Sequence, residues 1–184
     1  GAAGKDTMAL NTLGELLGLD GAPNYIESYD ISNQNGTANV AGMIVFENGR
    51  PLKSAYRRFE IKTVAGQDDY GSMAEVIERR LNEYEKHKDE GVGFGRMPDL
   101  ILLDGGKGQV NAVSQVMKRM GYNIPLFGMV KDNKHRTRAI TDAGKEIAIN
   151  NKRSVFTLVS NIQEEVHRFA IGYHRQKRKN TSFK

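Results

Sequence analysis

Asp104, Asp30 and His167 are side chains of this sequence that could hold a metal ion and move a proton. Aspartates supply the hard anionic oxygens that a divalent cation takes, and histidine is the natural proton acceptor near neutral pH. Asp104 closes an apolar run within Pro98-Asp-Leu-Ile-Leu-Leu-Asp-Gly-Gly-Lys-Gly-Gln109. Leu100 to Leu103 is unbroken, the mark of a strand buried on both faces. A carboxylate at the carboxyl end of such a strand stands where open α/β sheets take ligands. Gly105, Gly106 and Gly108 let the chain turn sharply there and come close to a ligand. The plainer reading of Asp104 is a cap for the helix that starts near Lys107. Asp30 stands near the end of Tyr25-Ile-Glu-Ser-Tyr-Asp-Ile31, an alternating strand pattern. His167 borders the apolar stripe of the last helix, with Gln163 on the same flank. A histidine so placed is more often structural than catalytic.

The elements that must position these groups follow from the pattern. Leu10, Leu13, Leu16 and Leu17 predict a short amphipathic helix over Thr7 to Leu19, after a flexible start from Gly1 to Lys5. Pro23 forbids its continuation. Tyr25–Ile31, Val40–Glu47 and Lys53–Lys62 read as three strands of an antiparallel meander, with Asn48-Gly49 as a hairpin turn. After a polar loop carrying Asp68 and Asp69, Ser72 and Glu75 form a capping box for a helix running to about Lys88. Gly91 to Gly95 leads into the strand ending at Asp104. Val110, Val113, Val116 and Met117 mark the next helix, Ile124 to Val130 a further buried strand, and Lys131 to Arg138 a strongly basic loop. Ala139 to Asn150 reads as a hairpin around Asp142-Ala-Gly144. From about Ser154, Val155, Leu158, Val159, Ile162, Val166, Phe169, Ala170 and Tyr173 share one face of a long helix. The basic tail from His174 to Lys179 is, by itself, a solvated end.

Composition bounds what this assembly can be. A chain of 184 residues, 39% hydrophobic and 27% charged, suits one globular domain with a real core. No apolar run approaches the roughly 20 residues of a membrane span, so no membrane partner is expected. With no cysteine there are no disulfides or thiolate metal sites, and a reducing cytoplasm is the simplest compartment. The formal net charge of +5 is a mild pointer to a polyanionic partner.

The order β-β-β-α-β-α-β and a closing helix resembles the ribonuclease H-like nuclease fold, an α/β class with a mixed five-stranded sheet and helices on both faces. In that fold the first and fourth strands lie side by side at the centre, and their acidic residues face each other. The resemblance therefore implies that the Asp30 and Asp104 carboxylates lie within about 4–6 Å, close enough to share one cation. Two bare carboxylates so close repel, and a divalent metal, Mg2+ or Mn2+, resolves this. That metal would activate water and offset charge on phosphorus, with His167 taking or orienting the water's proton.

At Tyr29-Asp-Ile-Ser-Asn33, Ser54-Ala-Tyr-Arg-Arg-Phe59, Gly66-Gln-Asp-Asp-Tyr70, Asp99–Gln109 and His167-Arg-Phe-Ala-Ile-Gly-Tyr-His-Arg175 the likeness sharpens. In order and spacing these stretches resemble the C-terminal endonuclease domain of the UvrC family of bacterial nucleotide excision repair. The resemblance implies a domain over 13–184, with 1–12 a tail and the start of a short helix. It implies a catalytic triad of Asp30, Asp104 and His167, with Asp30 and Asp104 as metal ligands. Asp69 and Glu75 are further acidic candidates, and Arg57, Arg58, Lys107, Arg168 and Arg175 are candidates for DNA contacts. It implies 5′ incision of damaged double-stranded DNA, delivered as a UvrB–DNA complex through the full-length protein, by a monomer. The family's other nuclease domain, its UvrB-contacting segment and its helix-hairpin-helix module are expected to lie outside this chain. Histidine in place of the fourth carboxylate of many ribonuclease H-like enzymes is a departure from that wider pattern.

Two rivals compete with this reading. Gly105-Gly-Lys-Gly108 lacks the P-loop spacing, because Gln109 stands where a nucleotide hydrolase needs a Ser or Thr hydroxyl for Mg2+. A non-catalytic nucleic-acid-binding domain of the same fold would use the same basic residues, but it would have no need of Asp30, Asp104 and His167 together.

Overall fold

The computed structural model describes residues 1–33, 39–63 and 68–182, with side chains to residue 172. The opening unit is the expected antiparallel one. Tyr25–Ser32 (β1) pairs with Val40–Glu47 (β2), which also pairs with Arg50–Pro51 (β3) and Arg57–Glu60 (β4). Asn48 and Gly49 join β2 to β3 with φ of 54° and 86°, the double left-handed geometry of a tight hairpin turn. Two crossovers follow. Asp69–His87 (α2) leads to Leu100–Leu103 (β5), and Lys107–Met120 (α3) to Leu126–Lys131 (β6). These strands are parallel, β5 lying between β1 and β6. Thr137–Thr141 (β7) and Glu146–Ala148 (β8) return antiparallel, and Arg153–Ser182 forms the closing helix, α4.

Helices cover both faces, as the sequence pattern requires. Tyr25, Tyr29, Ile101 and Leu103 pack with Met73, Val76 and Ile77 of α2 and Val110 and Val113 of α3. Residues of the opposite parity, Ile26, Leu100 and Leu102, pack with Val159, Ile162 and Val166 of α4. The leading helix Ala2–Leu16 (α1) adds Ala9, Leu10 and Leu13 to that second cluster.

Three expectations are corrected. Among the described residues the sheet has eight strands, not five, in the order β3-β2-β1-β5-β6-β7-β8 with β4 also on β2. A hairpin over 139–150 was legible, but its edge was not: β7 joins β6, Gly128 standing opposite Thr141. The first helix starts at Ala2 rather than Thr7: Ala2, Ala3 and Lys5 are good helix formers, and Gly4 among them costs less than they and the following turns supply. The α2 cap is Asp68, whose Oδ1 accepts from the Gly71 amide at 2.9 Å, and not Ser72. Ser72 lies inside the first turn, fully buried, its Oγ accepting from Asn39 Nδ2 at 2.9 Å.

Candidate active site

Strand parity aims both aspartates at α4. Asp30 follows Ile26 and Ser28 on the α4 face of β1, and Asp104 follows Leu100 and Leu102 on that face of β5. The Asp104 amide donates to the Tyr29 carbonyl at 2.8 Å, extending the β1–β5 ladder to this last row. The two carboxylates thus meet at the carboxyl ends of adjacent central strands. His167 stands over them from α4, its Nδ1 3.1 Å from Asp30 Oδ2. Ligand atoms of Asp30, Asp104 and His167 all lie within 4.8 Å of one another.

The approach of α4 depends on Gly42, the β2 partner of Asp30. A Cβ there would stand 3.1 Å from Phe169 Cδ2 and 3.2 Å from Ala170 Cα, so any side chain would press the helix away by a few tenths of an ångström. The glycines after Asp104 act in a similar way rather than by turning the chain. A Cβ on Gly105 would lie 2.3 Å from Gln109 Cγ, and one on Gly108 2.3 Å from the Tyr70 hydroxyl. Both glycines make room for neighbouring side chains, and neither has positive φ.

Asp104 does not cap α3. The cap position is Gly106, with no side-chain bond. The Asp104 carboxylate accepts instead from Gln163 Nε2 at 2.9 Å and from Lys131 Nζ at 3.1 Å. Gln163 is oriented in turn by the Thr137 hydroxyl, which donates to its Oε1. Gln163 and His167 are four residues apart on α4, so one helical face delivers both. The i, i+4 spacing was legible. The Asp104–Lys131 pair was not, because it joins residues 27 positions apart that meet only through the pairing of β5 with β6.

Burial and mutual repulsion set the electrostatics of the pair. Asp30 is only 8% exposed. Burial, then the Asp104 charge, push its carboxyl from 3.8 up to about 6, against the His167 hydrogen bond and the nearby Lys131. His167 is itself pushed up, chiefly by its bond to Asp30 and against partial burial. The carboxyl that is raised in the folded chain ionises freely in the unfolded one, so stability falls as pH rises from about 4 to 6 and stays low above. The His167 contribution runs the same way at higher pH: it is complete below the ordinary 6.5 and is lost as pH rises through the raised value. Asp30→Asn is therefore expected to stabilise the metal-free chain at pH 8 by about 1–2 kcal/mol. The rise of the Asp30 carboxyl from 3.8 to about 6 sets a ceiling of about 3 kcal/mol, and the weakened His167 bond takes part of it back. Urea unfolding at pH 8 and pH 4 checks this, since the gain should vanish at pH 4.

The donor set fits a hard divalent ion. It comprises two carboxylates and an imidazole, with an ammonium already standing against Asp104 as a cation in place. Asp69 and Glu75 fall outside this cluster. Glu75 is committed elsewhere: it accepts from the Lys62 and Thr63 amides at 2.9 and 2.8 Å and from Arg79 at 3.1 Å. Burial raises its carboxyl, but these bonds outweigh burial and hold it below its usual range. It fastens the chain after β4. Asp69 opens α2, exposed and beside Asp68.

The basic candidates divide. Arg58 stands in the same row as Asp30, two strands over through Gly42, or about 10 Å at the usual strand spacing. Its guanidinium lies 3.8 Å over the Phe169 ring. Arg57 points to the other face, against Phe94. Arg168 is held by Glu165 at 2.7 and 2.9 Å, so its charge is already answered. Lys107 is exposed near Glu146, and the Arg175 side chain lies outside the described residues.

Comparison with known proteins bears on what this site is. The family model described as the UvrC RNAse H endonuclease domain matches residues 14–171. UvrABC system protein C of Caldicellulosiruptor saccharolyticus is 50% identical over 171 residues, covering 93% of this chain and 28% of that protein. The protein of that name from Thermoanaerobacter pseudethanolicus is 51% identical over 174 residues, covering 90% and 28%. The chain thus spans less than a third of the length of these relatives. Among solved structures, human ENDOV aligns over 86% of each chain with 10% identity and a TM-score of 0.44. Half of the residues are shared with relatives from two genera, and the matched span runs from α1 through β1 and β5 to the His167 segment of α4. On that footing the chain belongs to the UvrC RNase H endonuclease domain family.

Proposed function

We propose that this chain is a divalent-metal-dependent endodeoxyribonuclease domain that makes the 5′ incision beside a lesion in nucleotide excision repair. The observation that carries the proposal is the convergence of Asp30, Asp104 and His167 from β1, β5 and α4 on one point. In this reading Asp30 and Asp104 hold Mg2+ or Mn2+. Such an ion, when bound, lowers the pKa of its water and offsets charge on phosphorus. His167, with Nδ1 turned to Asp30, keeps Nε2 for the attacking water and accepts its proton or orients it. Gln163 keeps the Asp104 carboxylate in place. Arg58 is the best placed of the candidates to hold the phosphate backbone without reading bases. Arg57, Lys107 and Arg175 are weaker candidates by position, and Arg168 weaker because Glu165 answers its charge.

Residues 13–184 form the proposed endonuclease domain. The proposed partners are damaged double-stranded DNA and, through the full-length protein, a UvrB–DNA complex, with the domain acting as a monomer in the cytoplasm. Among the described residues no helix is long and apolar enough to cross a membrane. A purely DNA-binding role gains nothing from two carboxylates set side by side against a basic surface, since they repel phosphate as well as each other. The test is strand cleavage of a lesion-bearing duplex by the full-length protein with UvrB. Incision 5′ of the lesion in Mg2+ or Mn2+, lost with a chelator and restored by the metal, is the expected result. Incision that survives the chelator would reject the proposal.

A further inference from the structure

A groove of about 610 Å³ opens from the aspartate pair along the β6–β7 end of the sheet, lined by Lys131, His135, Arg136, Thr137, Gln163 and His167 among others. It is continuous with the site, because Gln163 and His167 belong to both. Its charge is mainly positive, with Glu164 the one carboxylate in the lining among the described residues. Arg136 is braced by Asp132, Nε to Oδ2 3.2 Å, and the Asp132 carboxylate also accepts from the amides of Lys134 and Arg136. The β6–β7 turn is thereby fixed as a basic wall.

Lys131 stands where the groove meets the aspartates. Its ammonium, 3.1 Å from Asp104 Oδ2, rests on a side chain 29% exposed, whereas the Asp104 side chain is only 3% exposed. Lys131 follows Phe127 and Met129 on the α4 face of β6, the face on which Asp104 stands at the end of the neighbouring β5. An ammonium and a divalent ion cannot both take the same carboxylate oxygen at close range, since like charges a few ångströms apart repel. Lysine is a compact charge on a flexible four-carbon stem, so it can turn to another anion nearby without moving the backbone.

We infer that Lys131 is a phosphate-holding residue of this centre. It neutralises Asp104 until a divalent ion takes that carboxylate, and then turns into the groove to hold a phosphate of the bound strand. The inference rests on the nuclease reading, and it assigns to Lys131 a role that changes with the state of the site.

The test uses Lys131→Met, which keeps length and removes charge, and Lys131→Arg, which keeps charge. Mn2+ affinity without DNA is read by electron paramagnetic resonance. Affinity for duplex DNA is read across a salt series in Ca2+. Lys131→Met should bind Mn2+ several-fold more tightly than wild type, having lost the competing cation, and its salt slope for DNA should fall by about one. Lys131→Arg should retain the wild-type slope. Tighter Mn2+ binding with an unchanged slope would overturn the phosphate role. Unchanged Mn2+ binding would overturn the pairing with Asp104. Absence of Mn2+ binding by wild type would reject the nuclease reading, and this inference with it, and so is distinct from both.

Discussion

Asp104→Asn is expected to lower 5′ incision by the full-length protein about 10³-fold, with the fold retained. The carboxylate is one of two that supply negative charge to the proposed ion, and Lewis-acid stabilisation of the transition state is worth several kcal/mol, of which about 4 corresponds to that factor. Asparagine keeps the volume and one acceptor. It can still accept from Gln163 or from Lys131, but not from both, since the amide nitrogen then faces a donor. That mismatch costs about 1 kcal/mol, a small part of a domain's usual 5–15 kcal/mol. Incision rates and urea unfolding on the same preparation separate the two effects. Equal losses in both would return Asp104 to a structural role.

The largest stability effect lies on the other face of β1. Arg80 and Glu27 are each about 1% exposed, with Arg80 donating to Glu27 through Nε at 2.9 Å and a terminal nitrogen at 2.6 Å. The remaining Arg80 donors reach the Phe94 and Arg96 carbonyls, both at 2.7 Å. The Tyr29 hydroxyl donates to the same carboxylate, and burial with the Glu27 charge keeps that phenol protonated far above its usual range. The network ties α2 to the strand that carries Asp30 and to the segment entering β5. Arg80→Leu should cost about 3–5 kcal/mol, because it leaves a carboxylate buried without its partner. Adding Glu27→Leu in the same chain should recover much of that loss. Urea unfolding of both single variants and the double variant measures the coupling. A loss below 1 kcal/mol for Arg80→Leu would mean that water reaches the pair.

Asp30, Asp104 and His167 were legible because their positions follow from simple patterns: two strand ends and the border of one helical stripe. Strand order came from the succession of elements and from the family motifs. What stayed hidden depends on contacts between distant segments. Glu27 and Arg80 are 53 positions apart, and nothing in a buried strand or an amphipathic helix announces that pair. Glu75 matched a capping box with Ser72, yet that serine has no part in its use and bonds Asn39 instead. Its carboxylate serves the amides of the chain after β4, and Asp68 holds the helix start. Lys131 read as the edge of a basic loop, since its contact with Asp104 depends on which strands lie side by side and leaves no trace in composition. The count of strands was short for the same reason: local pattern marks a hairpin and says nothing of the edge it joins.

The central claim is that Asp30, Asp104 and His167 form a divalent-ion site, and anomalous scattering from crystals soaked in Mn2+ tests it most directly. The account predicts a peak at coordination distance, about 2.1 Å for a compact octahedral ion, from an oxygen of Asp30 and one of Asp104, with His167 beside it and Lys131 withdrawn from Asp104. A peak elsewhere, or no peak with Lys131 still seated on Asp104, would contradict it.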